Sequence, residues 1–146
     1  MVLDPEYLKI GGDIIRCAYE VRNSTRRGLR EEYYKLALAW ELSQLGYEVK
    51  TEEAIPVIYK GVVLSTDYKA DIIVDNRVII ETKAIGEMYE KQGRQLITYL
   101  ELSGIELGYL INFGSADFRF GRLSDSMPYR KGLYRIINTP KKGMSK

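Results

Sequence analysis

The segment Tyr68-Lys69-Ala70-Asp71-Ile72-Ile73-Val74-Asp75-Asn76-Arg77-Val78-Ile79-Ile80-Glu81-Thr82-Lys83 constrains the fold more than any other part of the chain. It is an almost continuous apolar run broken by a turn signal at Asp75-Asn76 and by a few isolated charges. A strand whose two faces are both apolar belongs at the centre of a sheet. Asp71, Glu81 and Lys83 therefore interrupt a buried surface, where a charge is costly unless it is paired or bound to a metal.

Register decides whether those charges meet. A loop with an odd number of residues, such as Asp75-Asn76-Arg77 with Asn76 in the left-handed conformation, sets residues 71 and 81 opposite each other, with Cα atoms about 4.5 to 5.5 Å apart. Lys83, Ile79 and Ile73 then share their face, while Ile72, Val74, Val78 and Ile80 fill the other. A two-residue turn sends Asp71 and Glu81 to opposite faces. Side by side, two carboxylates repel, so the pair calls for a shared proton, a lysine or arginine, or a divalent ion. Mg²⁺ is suited to one or two carboxylates with waters and substrate phosphates. The plainer reading pairs Asp71 and Glu81 with Lys69 and Lys83 across an exposed edge.

The 146 residues suit a single domain with a real core. Spacing of Leu8, Gly11, Ile15 and Ala18 predicts a first helix over 5–21, and a second runs over 29–45, closing at Gly46. Strands are expected at 47–50, 54–59, 62–64, 69–75 and 77–83, a third helix at 88–102, then strands at 108–113 and, weakly, 132–138. The order predicts an α/β fold, a mixed β-sheet flanked by helices, in a single domain over 1–138 with a flexible basic tail over 139–146. On a helical wheel Glu31 falls within the stripe Tyr34, Leu38, Leu42 and Leu45, so it points inward, whereas Glu32 lies on the flank with Lys35, Ala39 and Ser43. A second apolar stripe, Leu29, Tyr33, Leu36 and Trp40, predicts that this helix is sandwiched between partners. On the third helix Gln95 and Tyr99 share a face with Gln92, opposite a packing side of Tyr89, Gly93, Leu96 and Leu100.

Composition limits the chemistry. There is no histidine, which removes Ser-His-Asp and Cys-His catalysis, histidine-ligated zinc and any imidazole base. The single cysteine, Cys17, has no disulfide partner and fits a reducing, cytoplasmic setting. Asp4, Glu6, Lys9 and Asp13 interrupt the N-terminal segment, so neither a signal-peptide core nor a membrane span is expected. The net charge of +2 divides into +2 over residues 1–30, −7 over 31–118 and +7 over 119–146. An acidic middle with basic margins suits cations at the centre and a polyanion at the edges. Solvated surfaces and tails account for the same pattern.

Taken together, these residues resemble the GxxExxY proteins of the PD-(D/E)XK nuclease superfamily. The name motif stands as Gly28-Leu29-Arg30-Glu31-Glu32-Tyr33-Tyr34, followed by Tyr68-Lys69-Ala70-Asp71, Glu81-Thr82-Lys83-Ala84, Gln95-Leu96-Ile97-Thr98-Tyr99-Leu100 and Gly108-Tyr109-Leu110-Ile111-Asn112-Phe113-Gly114, over roughly residues 10–114. The resemblance implies a restriction-endonuclease-like fold and a nuclease that hydrolyses phosphodiester bonds of nucleic acid, DNA foremost. It implies that Asp71, Glu81 and the Thr82 carbonyl hold Mg²⁺ (or Mn²⁺), with Glu31 as a further or water-mediated ligand. Lys83 would orient or help deprotonate the attacking water, and Gln95 and Tyr99 would contact water or phosphate, as in RecB-like members. Arg22, Arg26, Arg27 and Arg30 could track the nucleic-acid backbone. Two places where the family often has histidine hold Arg22 and Gln92. Residues 115–131, with Phe118, Phe120 and Tyr129, read as a long connection open to a homodimer contact or a substrate loop. Two other functions stay open: a nucleic-acid-binding module without turnover, and a protein-interaction domain in which Lys83 neutralises Asp71 and Glu81 directly.

Overall fold

The computed structural model describes residues 4–138. In chain order the elements are α1 (Pro5–Ser24), α2 (Glu31–Gln44), β1 (Val49–Ala54), β2 (Val57–Tyr59), β3 (Val62–Ser65), β4 (Lys69–Val74), β5 (Val78–Lys83), α3 (Glu90–Ser103), β6 (Leu107–Asn112), β7 (Asp117–Phe120) and β8 (Lys131–Ile137). The expected tail over 139–146 lies outside the described residues.

Six strands form one mixed sheet in the order β1-β4-β5-β6-β8-β7, and β2 with β3 makes a separate two-stranded hairpin. The apolar β4–β5 hairpin is central, as its doubly apolar faces require. β5 and β6 run parallel, and parallel neighbours need a crossover, which α3 supplies. Ile72, Val74, Val78 and Ile80 pack with α1 and α2 on one face. Ile73, Ile79 and Leu110 pack with Leu96, Tyr99 and Leu100 of α3 on the other. The result is the α/β, restriction-endonuclease-like arrangement of a mixed sheet flanked by helices.

Helix α1 begins where Asp4 accepts hydrogen bonds from the Glu6 and Tyr7 amides at 2.9 and 3.1 Å, with Pro5 in the first turn. Its buried stripe is Ile10, Ile14, Cys17, Ala18 and Val21, while Leu8, which the sequence reading placed in the stripe, is exposed. The bulkier set out of phase with Leu8 removes more apolar surface from water. Helix α2 buries Tyr34, Leu38 and Leu42 as expected, but Leu45 is exposed. Its second stripe is also corrected: Tyr33, Leu36 and Trp40 are 48%, 53% and 60% exposed, so no element of the described residues covers that side. On α3, Gly93, Leu96 and Leu100 are buried but Tyr89, expected with them, is exposed. Residues 115–131 are not a bare connection, because they contain β7, which pairs parallel with β8. No helix among the described residues is long and apolar enough to cross a membrane.

Candidate active site

The turn between β4 and β5 fixes the register. Val74 pairs with Val78, Ile73 with Ile79 and Ile72 with Ile80, leaving Asp75, Asn76 and Arg77 as a three-residue loop. Both Asp75 (φ 51°) and Asn76 (φ 54°) are left-handed, a conformation that Asn and Asp tolerate better than most residues. The same register carries on to set Asp71 opposite Glu81.

At that point side chains take over from the backbone ladder. The Asp71 amide donates to Glu81 Oε2 at 2.8 Å, and the Thr82 amide and hydroxyl donate to Asp71 Oδ2 at 2.9 and 3.0 Å. Each carboxylate thus spends one oxygen holding the strand ends together. Asp71 Oδ1 and Glu81 Oε1 accept no hydrogen bond from the described residues. Glu81 is 2% exposed. Burial first, then the charge of Asp71, pushes its carboxyl up to about 8, with Lys83 and the Asp71 amide pulling the other way.

Lys83, at the end of β5, forms no ion pair with the acids among the described residues. Its ammonium lies 3.3 Å from Gln95 Oε1, and Gln95 Nε2 lies 3.1 Å from the Tyr99 hydroxyl. Tyr99 is buried beside the Tyr68 ring at 5.6 Å between centroids, and burial followed by the Glu81 charge raises its phenol. Gln95 itself is exposed. Gln92 serves the backbone, accepting from the Tyr89 amide at 2.7 Å at the start of α3.

Glu31 reaches the site from the first turn of α2. Ahead of it, left-handed Gly28 (φ 86°) turns the chain. Tyr34 locks that turn: its hydroxyl donates to the Arg26 carbonyl at 2.8 Å and accepts from the Leu29 amide at 3.3 Å, while its ring stacks on Phe113 at 4.9 Å. Partial burial raises the Glu31 carboxyl, Lys83 opposes this, and Asp71 adds to it. The three acids do not close on one point, since no group of three or more carboxylates among the described residues is arranged to hold a single ion.

Sequence reasoning missed two residues. Lys35 was placed on the polar flank of α2, yet it is 9% exposed and ion-paired with Glu52. Glu52 fell between two expected strands, and it lies in β1 with a left-handed backbone (φ 52°). No pattern in the sequence announces either, because the pairing joins segments far apart in the chain.

The arginines expected to meet nucleic acid divide. Arg26 and Arg27 are exposed. Arg30 is paired with Glu32 and lies 5.5 Å from the Tyr33 ring. Arg22 is drawn inward over the Phe118 ring at 4.8 Å, and its Nη1 is buried without a partner among the described residues. Arg27, Gly28, Leu29 and Tyr34 line a cavity of about 220 Å³ with Ala84-Ile85-Gly86 and Phe113-Gly114, the loops that follow β5 and β6.

The donor set fits a hard divalent cation. Two carboxylates, each anchored through one oxygen and unengaged at the other, match the one or two carboxylates that Mg²⁺ takes alongside waters. The raised Glu81 carboxyl marks a place where positive charge is wanted. Compared with known proteins, residues 9–123 match the profile of the PD-(D/E)XK nuclease superfamily. No curated protein and no solved structure matches the chain.

Proposed function

The chain belongs to the PD-(D/E)XK nuclease superfamily, and from that premise we propose that it is a Mg²⁺- or Mn²⁺-dependent nuclease that hydrolyses phosphodiester bonds of DNA. Asp71, Glu81 and the Thr82 carbonyl hold the ion, and Glu31 acts on it through water. The observation that carries this reading is the anchored but unneutralised pair: Asp71 and Glu81 are fixed by Thr82 and by the Asp71 amide, while Lys83 turns to Gln95. In a structural ion-pair network Lys83 would instead close on the acids.

A bound divalent ion supplies a polarised water and offsets the charge that builds on the phosphate. The chain's own groups do the rest. Asp71 and Glu81 fix where the ion sits relative to the strand ends. Lys83, steadied by Gln95, is available to orient the attacking water by donating a hydrogen bond to its lone pair, and to offset charge on a non-bridging oxygen. Tyr99 holds Gln95 in turn, so Gln95 presents its amide beside Lys83. Arg26 and Arg27, both exposed just ahead of α2, are available to meet backbone phosphates, which positions the strand without reading its sequence.

The test is cleavage of single-stranded DNA, double-stranded DNA and RNA in Mg²⁺ or Mn²⁺ by the wild type, Lys83→Ala and Glu81→Ala. Either substitution is expected to lower the rate at least about 100-fold, the scale of losing a principal electrostatic or proton-transfer group. Cleavage unaffected by both changes would refute the assignment. Binding without cleavage in the wild type, steeply weakened by salt, would instead indicate a nucleic-acid-binding module.

A further inference from the structure

The β1–β4 register pairs Thr51 with Ile72 and Glu53 with Ala70, so Glu52 and Asp71 occupy the position between those pairs, where the ladder is interrupted. On the other side of β4, Asp71 faces Glu81. Glu52, Asp71 and Glu81 therefore form a row across three neighbouring strands. Like charges opposite one another on adjacent strands repel, so each of the two gaps in the row calls for a cation.

One gap already has it. Lys35 follows Glu31 by one helical turn and its side chain is 11% exposed, ion-paired with Glu52. Burial pulls its ammonium toward the neutral form. The hydrogen bond and charge of Glu52, then Asp71 and Glu31, outweigh that and keep it charged. Glu52 holds this position with a left-handed backbone, a conformation that a residue with a Cβ uncommonly adopts. Among the described residues the gap between Asp71 and Glu81 has no such partner, because Lys83 ends on Gln95. Four carboxylates, Glu31, Glu52, Asp71 and Glu81, thus face two ammonium groups, Lys35 and Lys83, and one divalent ion makes up the difference.

We propose that Lys35, clamped by Glu52, is a built-in cation that fills the place a second divalent ion would otherwise take, so that the site holds one metal ion, between Asp71 and Glu81. This rests on the metal-dependent reading above. Lys35 acts here as a positioning residue: it keeps Glu52 and the far side of Asp71 neutralised, leaving Asp71 Oδ1 and Glu81 Oε1 to the ion.

Metal stoichiometry tests it without recourse to activity. Mn²⁺ alone is titrated into the wild type and free Mn²⁺ is followed by electron paramagnetic resonance, with folding checked by circular dichroism. The wild type is expected to bind one Mn²⁺ per chain, Lys35→Gln two, Lys35→Arg one, and the double variant Lys35→Gln with Glu52→Gln one again. Lys35→Met, which keeps the packing of the stem, replaces Lys35→Gln if the glutamine variant does not fold. Two ions in the wild type, or one in the neutral Lys35 variants, overturns the inference and leaves the metal-dependent reading standing. A wild type that binds none overturns both.

Discussion

Glu81 carries the sharpest thermodynamic signature of any single residue. Its carboxyl is moved from 4.5 to about 8 by burial and by Asp71, so the metal-free folded state holds a proton there that the unfolded chain has already released at neutral pH. The unfolded chain binds fewer protons over this range, and stability therefore falls as pH rises. The contribution is fully present below about 4.5 and is lost as pH climbs through about 8, a change on the order of 5 kcal/mol. The raised Glu31 carboxyl works in the same direction. Urea unfolding of the metal-free protein is expected to show a marked loss of stability between pH 5.5 and pH 8.5. Glu81→Gln, which retains an oxygen for the Asp71 amide, should remove most of that slope. Mg²⁺ should restore stability at pH 8.5 in the wild type and much less in the variant. Parallel pH profiles for the two proteins would show that Glu81 does not set the dependence.

At the scale of an element, the loop length of the β4–β5 hairpin decides that Asp71 and Glu81 meet. Because side chains alternate faces with a period of two, removing one loop residue sends every following side chain to the other face. Deleting Asn76 would leave a two-residue loop and carry Glu81 and Lys83 away from Asp71. The deletion is expected to abolish Mn²⁺ binding while the chain still folds into a sheet by circular dichroism. Asn76→Val keeps the loop length but forces a β-branched residue to φ 54°, and should cost about 1–2 kcal/mol in urea unfolding with metal binding retained. Asn76→Gly should be close to neutral. This hairpin was legible in the sequence because its evidence is local: doubly apolar strands, an odd loop and an asparagine suited to a left-handed turn. Glu31 was legible for a similar reason, as an acid inside the apolar stripe of Tyr34, Leu38 and Leu42. Lys35 was not, since an ammonium on a helix flank reads as surface until Glu52, 17 residues on, is seen to close over it. Periodicity also misled over Tyr33, Leu36 and Trp40, because an apolar stripe reports what a helix could bury and says nothing of whether the same chain supplies a partner. Strand β7 was missed because Asp117–Phe120 has little alternation of its own and is defined by pairing with β8.

Over the whole molecule the charge distribution sets a condition on binding. Residues 31–118 sum to −7, while the segments before and after them sum to +2 and +7. A nucleic-acid strand that meets Arg26 and Arg27 and then runs to the strand ends must bring its phosphates against the Glu52, Asp71 and Glu81 row. In the absence of a divalent ion that approach sets phosphate against the Asp71 carboxylate and, above about pH 8, where Glu81 ionises, against Glu81 as well. Near a protein surface each unit charge a few ångströms away is worth on the order of 1 kcal/mol once screened, so repulsion from one or two carboxylates is a tenfold effect or more. Metal-free wild type should therefore bind a short DNA weakly, and Asp71→Asn with Glu81→Gln should bind it about tenfold more tightly in EDTA although it cannot cleave. Adding Mg²⁺ should tighten binding to the wild type and leave the double variant nearly unchanged. Fluorescence anisotropy across a salt series separates this from the arginines: Arg26→Ala with Arg27→Ala should weaken binding in every condition and lower the slope of log affinity against log salt by about 1–2, one phosphate contact for each side chain lost. If the carboxylate variant binds no more tightly than the wild type in EDTA, the strand does not pass over the acid row, and the path from Arg26 and Arg27 to the strand ends is wrong.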